Sequence, residues 1–153
     1  MTDKYQYQQQ NSNQTLKQGL NEYYASIPGL IVPENLKDKE TAKMLTLHDI
    51  THVIFGCSTD IKDEFLCDTW TIFGSTISLR KYLEYMKYPE TQQIFKEVGY
   101  FKLIWIGIKI FPEILKVIWL TRKMTKKWPW DEYKRYLDRP LKDIRQQFNI
   151  YLV

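Results

Sequence analysis

The chain holds only two histidines, four residues apart in the run His48-Asp49-Ile50-Thr51-His52. Histidines at i and i+4 stack on one face of a helix, the simplest way to offer two imidazole nitrogens to one metal ion. Asp49 adds a carboxylate about 100° around the helix from His48, with His52 about 40° around, so all three share one arc. Leu45, Met44 and Phe55 fall within about 60° of His48. The imidazoles therefore lie on an apolar face that should point inward, where an unpaired polar group is costly. A metal ion with carboxylate ligands would satisfy them. A hydrogen-bonded His–Asp pair inside the core is the plainer alternative.

Glu64, twelve residues beyond His52, is the candidate for a facing ligand. On its own helical wheel, Cys67, Asp68, Thr71, Ser75 and Ser78 lie within about 60° of it. Glu64 thus heads a stripe of small polar residues, while Phe65, Leu66, Trp70, Ile72, Phe73 and Ile77 occupy the opposite arc. A tight turn over Gly56–Thr59 would lay the two helices antiparallel and set Glu64 against His52. The expected metal ligands are His48, Asp49, His52 and Glu64. Imidazole ligands point to zinc, and two carboxylates keep iron, manganese and magnesium open. Zincin proteases place Glu second in their motif as general base; here it is Asp, one methylene shorter. HD phosphohydrolases need a further upstream histidine, which this chain lacks. An unrelated metal hydrolase would also need a base that the sequence does not supply.

The positioning elements read as helices. Leu16 to Ser26 forms a short one, and the Pro28-Gly29 and Pro33 punctuation breaks it. Asp38 to Phe55 carries the histidines and stops at Gly56. Ser58 or Thr59 caps a second helix that runs to about Lys81, loosened at Gly74. Thr91 to Met124 is a long apolar helical segment, starting near Pro89 and kinked around Gly107 or Pro112. The tail after Trp128-Pro129-Trp130 makes one or two short helices broken at Pro140. No hairpin or repeat is evident, so the class is all-α: an antiparallel helical bundle with a metal site between two adjacent helices. Residues 1–14, rich in Gln and Asn, read as a disordered or weakly helical polar lead to a single domain over 15–153.

At 153 residues the chain can bury a sizeable core. Its net charge of +4 is too weak and scattered to argue for nucleic acid. Cys57 and Cys67, with no C-x-x-C spacing, do not make a cysteine-type zinc site. They read as free thiols in a reducing compartment, with one disulfide as the alternative. The polar N-terminus, without an apolar stretch, gives no expectation of a secretory signal. The expected location is cytoplasmic, or peripheral on the inner face of a membrane.

The pattern His48-Asp49-x-x-His52 followed by Glu64 resembles the Coq-four family of ubiquinone biosynthesis. The run His52-Val53-Ile54-Phe55-Gly56-Cys57-Ser58-Thr59-Asp60 looks like its bacterial members across the whole turn. Tyr24, Pro28-Gly29, Trp130-Asp131-Glu132-Tyr133, Asp138-Arg139-Pro140-Leu141 and Ile144-Arg145 are similar too, so the resemblance spans roughly residues 20 to 150. Asp63 departs from it, where many bacterial members carry Gly. The resemblance implies an all-α fold, a divalent metal usually discussed as zinc, peripheral membrane association, prenyl-lipid binding and frequent homodimers. It carries over His48, Asp49, His52 and Glu64 as ligands. It implies either oxidative decarboxylation at C1 of a prenylated ring or a non-catalytic role as organiser of the quinone-biosynthesis complex, with a structural metal.

Tyr100 to Leu120 is strongly apolar, and Lys102, Lys109, Lys116 and Lys123 recur along it every seven residues. Its charges argue against a transmembrane span. It reads as a central core helix with one narrow solvent stripe. The sharper alternative is an apolar face, including Trp105, Ile108 and Phe111, that lines an isoprenoid tunnel or meets membrane. Arg122, Lys123, Lys126, Lys127 and Trp128 would then face anionic headgroups; solvated charge beside packed tryptophan explains that cluster as well.

Overall fold

The structure is a computed structural model that describes residues 5–26, 30, 32–87 and 99–153. These residues form seven α-helices: α1 (Leu16–Ser26), α2 (Lys39–Phe55), α3 (Ile61–Gly74), α4 (Leu79–Tyr85), α5 (Tyr100–Lys109), α6 (Phe111–Thr121) and α7 (Leu141–Phe148). No strand occurs among them, only isolated bridges at Thr15–Pro140 and Ser75–Trp128. The all-α class is as expected; the proposed start near Pro89 lies outside the described residues.

Local chemistry sets the ends of α2. The Asp38 carboxylate accepts from the Thr41 N–H at 2.9 Å, satisfying one of the free donors of the first turn. Gly56 closes the helix in the left-handed region (φ 68°), its N–H returning to the His52 carbonyl. A Cβ there would be strained and would stand 2.8 Å from Leu152. Past the turn, the Ser58 N–H donates to Asp63 Oδ2 at 2.7 Å. This tightens the entry to α3, whose N-cap position falls on Asp60 instead of Ser58 or Thr59. Gly19 of α1 lets α1 approach α2, since a Cβ on it would meet Val53 at 2.8 Å.

α3 stops at Gly74, short of Lys81. Ser75 Oγ donates to the Thr71 carbonyl at 2.6 Å and accepts from the Ile77 N–H, so the side chain competes with helix continuation. The backbone then pairs with Trp128, which takes the Thr76 N–H and donates to the Gly74 carbonyl at 2.8 Å. Ser78 caps α4 by accepting from Lys81 N. This pairing draws Trp128 fully inside, against Tyr136 and Phe148. Trp128 is therefore a core residue, and its expected place on a membrane-facing surface is corrected.

The polar lead is also corrected over residues 5–14. Tyr7 is fully buried, and its hydroxyl donates to the Cys57 carbonyl. Arg145 of α7, equally buried, gathers four carbonyls: Ile54 at 3.0 Å, Val53 at 2.8 Å, Tyr7 at 2.6 Å and Gln9 at 2.5 Å. Two of these end α2, where the negative end of the helix dipole favours a cation. One guanidinium thus ties the lead, α2 and α7 together.

The apolar segment breaks at Ile110, between Gly107 and Pro112, into α5 and α6. It is not a central core helix. Leu103, Ile110, Val117 and Leu120 form a narrow inward stripe. Phe101, Ile104, Trp105, Ile108, Phe111, Leu115 and Trp119 stay exposed, Phe101 to 92%. No helix of the described residues is long and apolar enough to cross a membrane.

Arg145→Ala should cost about 3–5 kcal/mol, since it strands several buried carbonyls at once. Urea unfolding checks this; a loss below about 1 kcal/mol would show that the lead and α7 dock without it.

Candidate metal centre

The two imidazoles of α2 point into the seam between α1, α2 and α3. His52 is completely buried and His48 nearly so. Their ring centroids lie 4.7 Å apart, and Tyr23 of α1 stacks on His52 at 5.4 Å. From α3, Glu64 Oε2 reaches 3.5 Å from His52 Nε2 and 3.9 Å from His48 Nε2. Asp68 Oδ1 is 3.9 Å from His48 Nε2. Position 52 meets 64 while 48 meets 68, so α2 and α3 run antiparallel.

Neither nitrogen of His52 has a hydrogen-bond partner among the described residues. The contact to Glu64 at 3.5 Å is longer than a well-formed N–H···O bond. Nε2 thus has only this long ion pair and Nδ1 has no partner among the described residues, and a bound cation is one way to satisfy such a buried site. A second grouping shares the histidines: ring nitrogens of His48 and His52 and the Cys67 sulfur all lie within 4.8 Å of one another, and this buried set could hold a metal ion.

Of the four expected ligands, His48, His52 and Glu64 converge. Asp49 is buried beside them, its Oδ2 accepting from the Tyr24 hydroxyl at 2.9 Å. Tyr24 thereby orients Asp49. Cys67 and Asp68 are not in the expected set, although both lie on the stripe that Glu64 heads. Both cysteines are free thiols. An open cleft of about 450 Å³ between the lead and α7, lined among others by Gln10, Lys142 and Asp143, contains none of these groups.

The electrostatics are those of a compact charge cluster. Burial alone would lower the pKa of His52, but Glu64, then Asp49 and Asp68, raise it to about 9. Burial would raise Glu64, yet His52 and His48 hold it below its ordinary value. Asp49 goes the other way, to about 6, because burial outweighs the pull of both histidines and the Tyr24 bond. Burial pushes the Cys67 thiol up, with neighbouring Cys57 adding to it.

The other expected positions lie away from this seam. Trp105, Ile108 and Phe111 are exposed on α5 and α6, and Arg122, Lys123, Lys126 and Lys127 are exposed after α6. Lys123 sits 3.4 Å over the Trp119 ring and Lys126 4.8 Å over Phe148, so these cations also cover aromatic faces. No protein-family model matches the chain, and neither does any curated protein or solved structure.

A metal must displace the proton that His52 retains up to about pH 9. Apparent zinc affinity should therefore rise at least about tenfold per pH unit from about pH 6 to 8 in a chelator competition, and more steeply where a second ligand also gives up a proton; a flat profile would remove His52 from the centre. The raised pKa also has a sign for metal-free stability. The contribution is full below about pH 6.5 and is lost as pH rises through about 9.

Proposed function

We propose that the protein is a metal-dependent component of prenylquinone biosynthesis that binds a prenylated ring precursor at a membrane surface. One observation carries this reading: the only two histidines of the chain are buried on one helix face against Glu64 of the next helix. That pattern is the one through which the sequence resembles the Coq-four family. His48, His52 and Glu64 would hold the ion, with Asp49 beside them.

A divalent ion bound there would supply Lewis-acid polarisation of a ring oxygen or carboxylate. The chain itself supplies the rest. Tyr23 and Tyr24 wall the seam on one side, and Tyr24 fixes the Asp49 carboxylate. With a pKa near 6, Asp49 Oδ2 can take or release a proton at physiological pH. About 30% of the Glu64 and Asp68 side chains stays exposed, which gives the centre an approach from the α3 side. The reaction class that the resemblance points to is oxidative decarboxylation at C1 of the prenylated ring: the carboxyl would leave as CO2, a hydroxyl from water would take its place, and the two electrons released would need an external acceptor such as O2.

The exposed apolar face of α5 and α6 supports the lipid side of this reading. So large a face is costly in water and marks a lipid or partner surface. Lys102, Lys109 and Lys116, all exposed, interleave with it in the manner of an interfacial helix. A second reading is a non-catalytic prenyl-lipid scaffold with a structural metal. The complete burial of His52 favours it, since a structural ion needs no open position.

Elemental analysis should find about one metal per chain, lost in His48→Ala and reduced in Glu64→Ala. Full retention in Glu64→Ala would take Glu64 out of the site. No metal under replete conditions would leave a buried His–Glu ion pair and sink the centre. With the metal present, turnover of a prenylated hydroxybenzoate would select the enzyme over the scaffold. For the lipid face, Trp105→Glu with Ile108→Glu should abolish sedimentation with anionic liposomes. Charge reversal at Lys123, Lys126 and Lys127 should weaken it at low salt. Unchanged binding in both would assign the face to another partner, such as a second copy of the chain.

A further inference from the structure

Between His48 and His52 the α3 helix presents a third kind of donor besides its carboxylates. The Cys67 sulfur lies within 4.8 Å of a ring nitrogen of each histidine. Cys67 is wholly buried, as is His52, whose two nitrogens find no hydrogen-bond partner among the described residues. A buried cysteine is usually a small apolar filler. Here it lies beside His52, whose ring nitrogens make no hydrogen bond among the described residues.

We infer that Cys67 is a thiolate ligand of the centre, which makes the donor set two imidazoles, one thiolate and the Glu64 carboxylate and selects a thiophilic ion such as Zn2+ over Mg2+ or Mn2+. This rests on the metal-centre reading above and goes beyond it, because nitrogen and carboxylate donors alone leave hard and borderline cations open. On coordination the S–H bond is replaced by a sulfur–metal bond, and its proton leaves to solvent. The other thiol is not placed for this role: Cys57 Sγ is directed at the Phe55 carbonyl, 3.8 Å away, and stands outside the cluster. With Glu64 these groups would supply four protein donors, the number found in structural zinc sites. The inference therefore also favours the scaffold reading over turnover.

The test uses the full-length metal-free protein titrated with Co2+ under anaerobic conditions. Visible ligand-field bands report binding, and a near-ultraviolet sulfur-to-cobalt charge-transfer band reports a thiolate ligand. The expected result is both signals in wild type and in Cys57→Ser. In Cys67→Ser the charge-transfer band should vanish while the visible bands remain. Because the chain has only two cysteines, a band retained in Cys57→Ser assigns the thiolate to Cys67 even where Cys67→Ser fails to fold. An excess of Mg2+ or Mn2+ should not displace cobalt, whereas Zn2+ should. Visible bands that need His48 but come without any charge-transfer band would overturn the thiolate and leave the metal centre standing. No cobalt or zinc binding at all would overturn both.

Discussion

Two imidazoles removed from water on an otherwise apolar helix constrain everything around them. Their nitrogens cannot be left dry without cost, so the facing helix must bring polar groups to within a few ångströms of two points one turn apart. That requirement fixes the register of α3 against α2, and the register is set by the five-residue connection that begins at Gly56. The left-handed glycine reverses the chain immediately after His52, and Asp63 ties the turn from below. Glu64 and Asp68 then fall opposite His52 and His48. Elsewhere the seam is sealed by aromatic surface: Tyr23 over His52, and Phe55 stacked on Trp70 at 4.5 Å.

What the sequence discloses depends on how local its cause is. The limits of α2, the stop at Gly56 and the convergence of His48, His52 and Glu64 follow from caps, a glycine and spacings of a few residues, all visible in the chain. Cys67 and Asp68 share a wheel sector with Glu64, but which members of a stripe reach the ligand pair depends on helix separation and rotation. Periodicity does not specify those. The end of α3 at Gly74 is likewise a tertiary event, imposed by backbone pairing with Trp128 more than fifty residues on.

Three features show where composition misleads. Gln and Asn in the lead signal disorder, yet buried Tyr7, the Glu22 carboxylate that accepts from its N–H, and the carbonyls that Arg145 gathers dock it, with the cation supplied by α7. Lys126-Lys127-Trp128-Pro129-Trp130 has the composition of a membrane rim. Pro129 keeps Trp128 extended, so its backbone can pair with the α3 exit and its indole turns inward. In α5 and α6, apolar residues outnumber the inward positions, so hydrophobicity that looks like core remains at the surface. Sequence measures how apolar a helix is, and only packing decides how much of that surface is covered.

The Arg145 junction has a kinetic corollary. Its bonds to Tyr7 and Gln9 join residues 138 and 136 apart in the chain, among the most distant pairs it can close. Closing so long a loop is entropically costly and comes late, after local helices have formed. During synthesis, the lead and the carbonyls that end α2 must wait for α7 to emerge from the ribosome. Until then the nascent chain holds a histidine-bearing α2–α3 hairpin whose far side is still wet. That interval is when the chain is most exposed to aggregation.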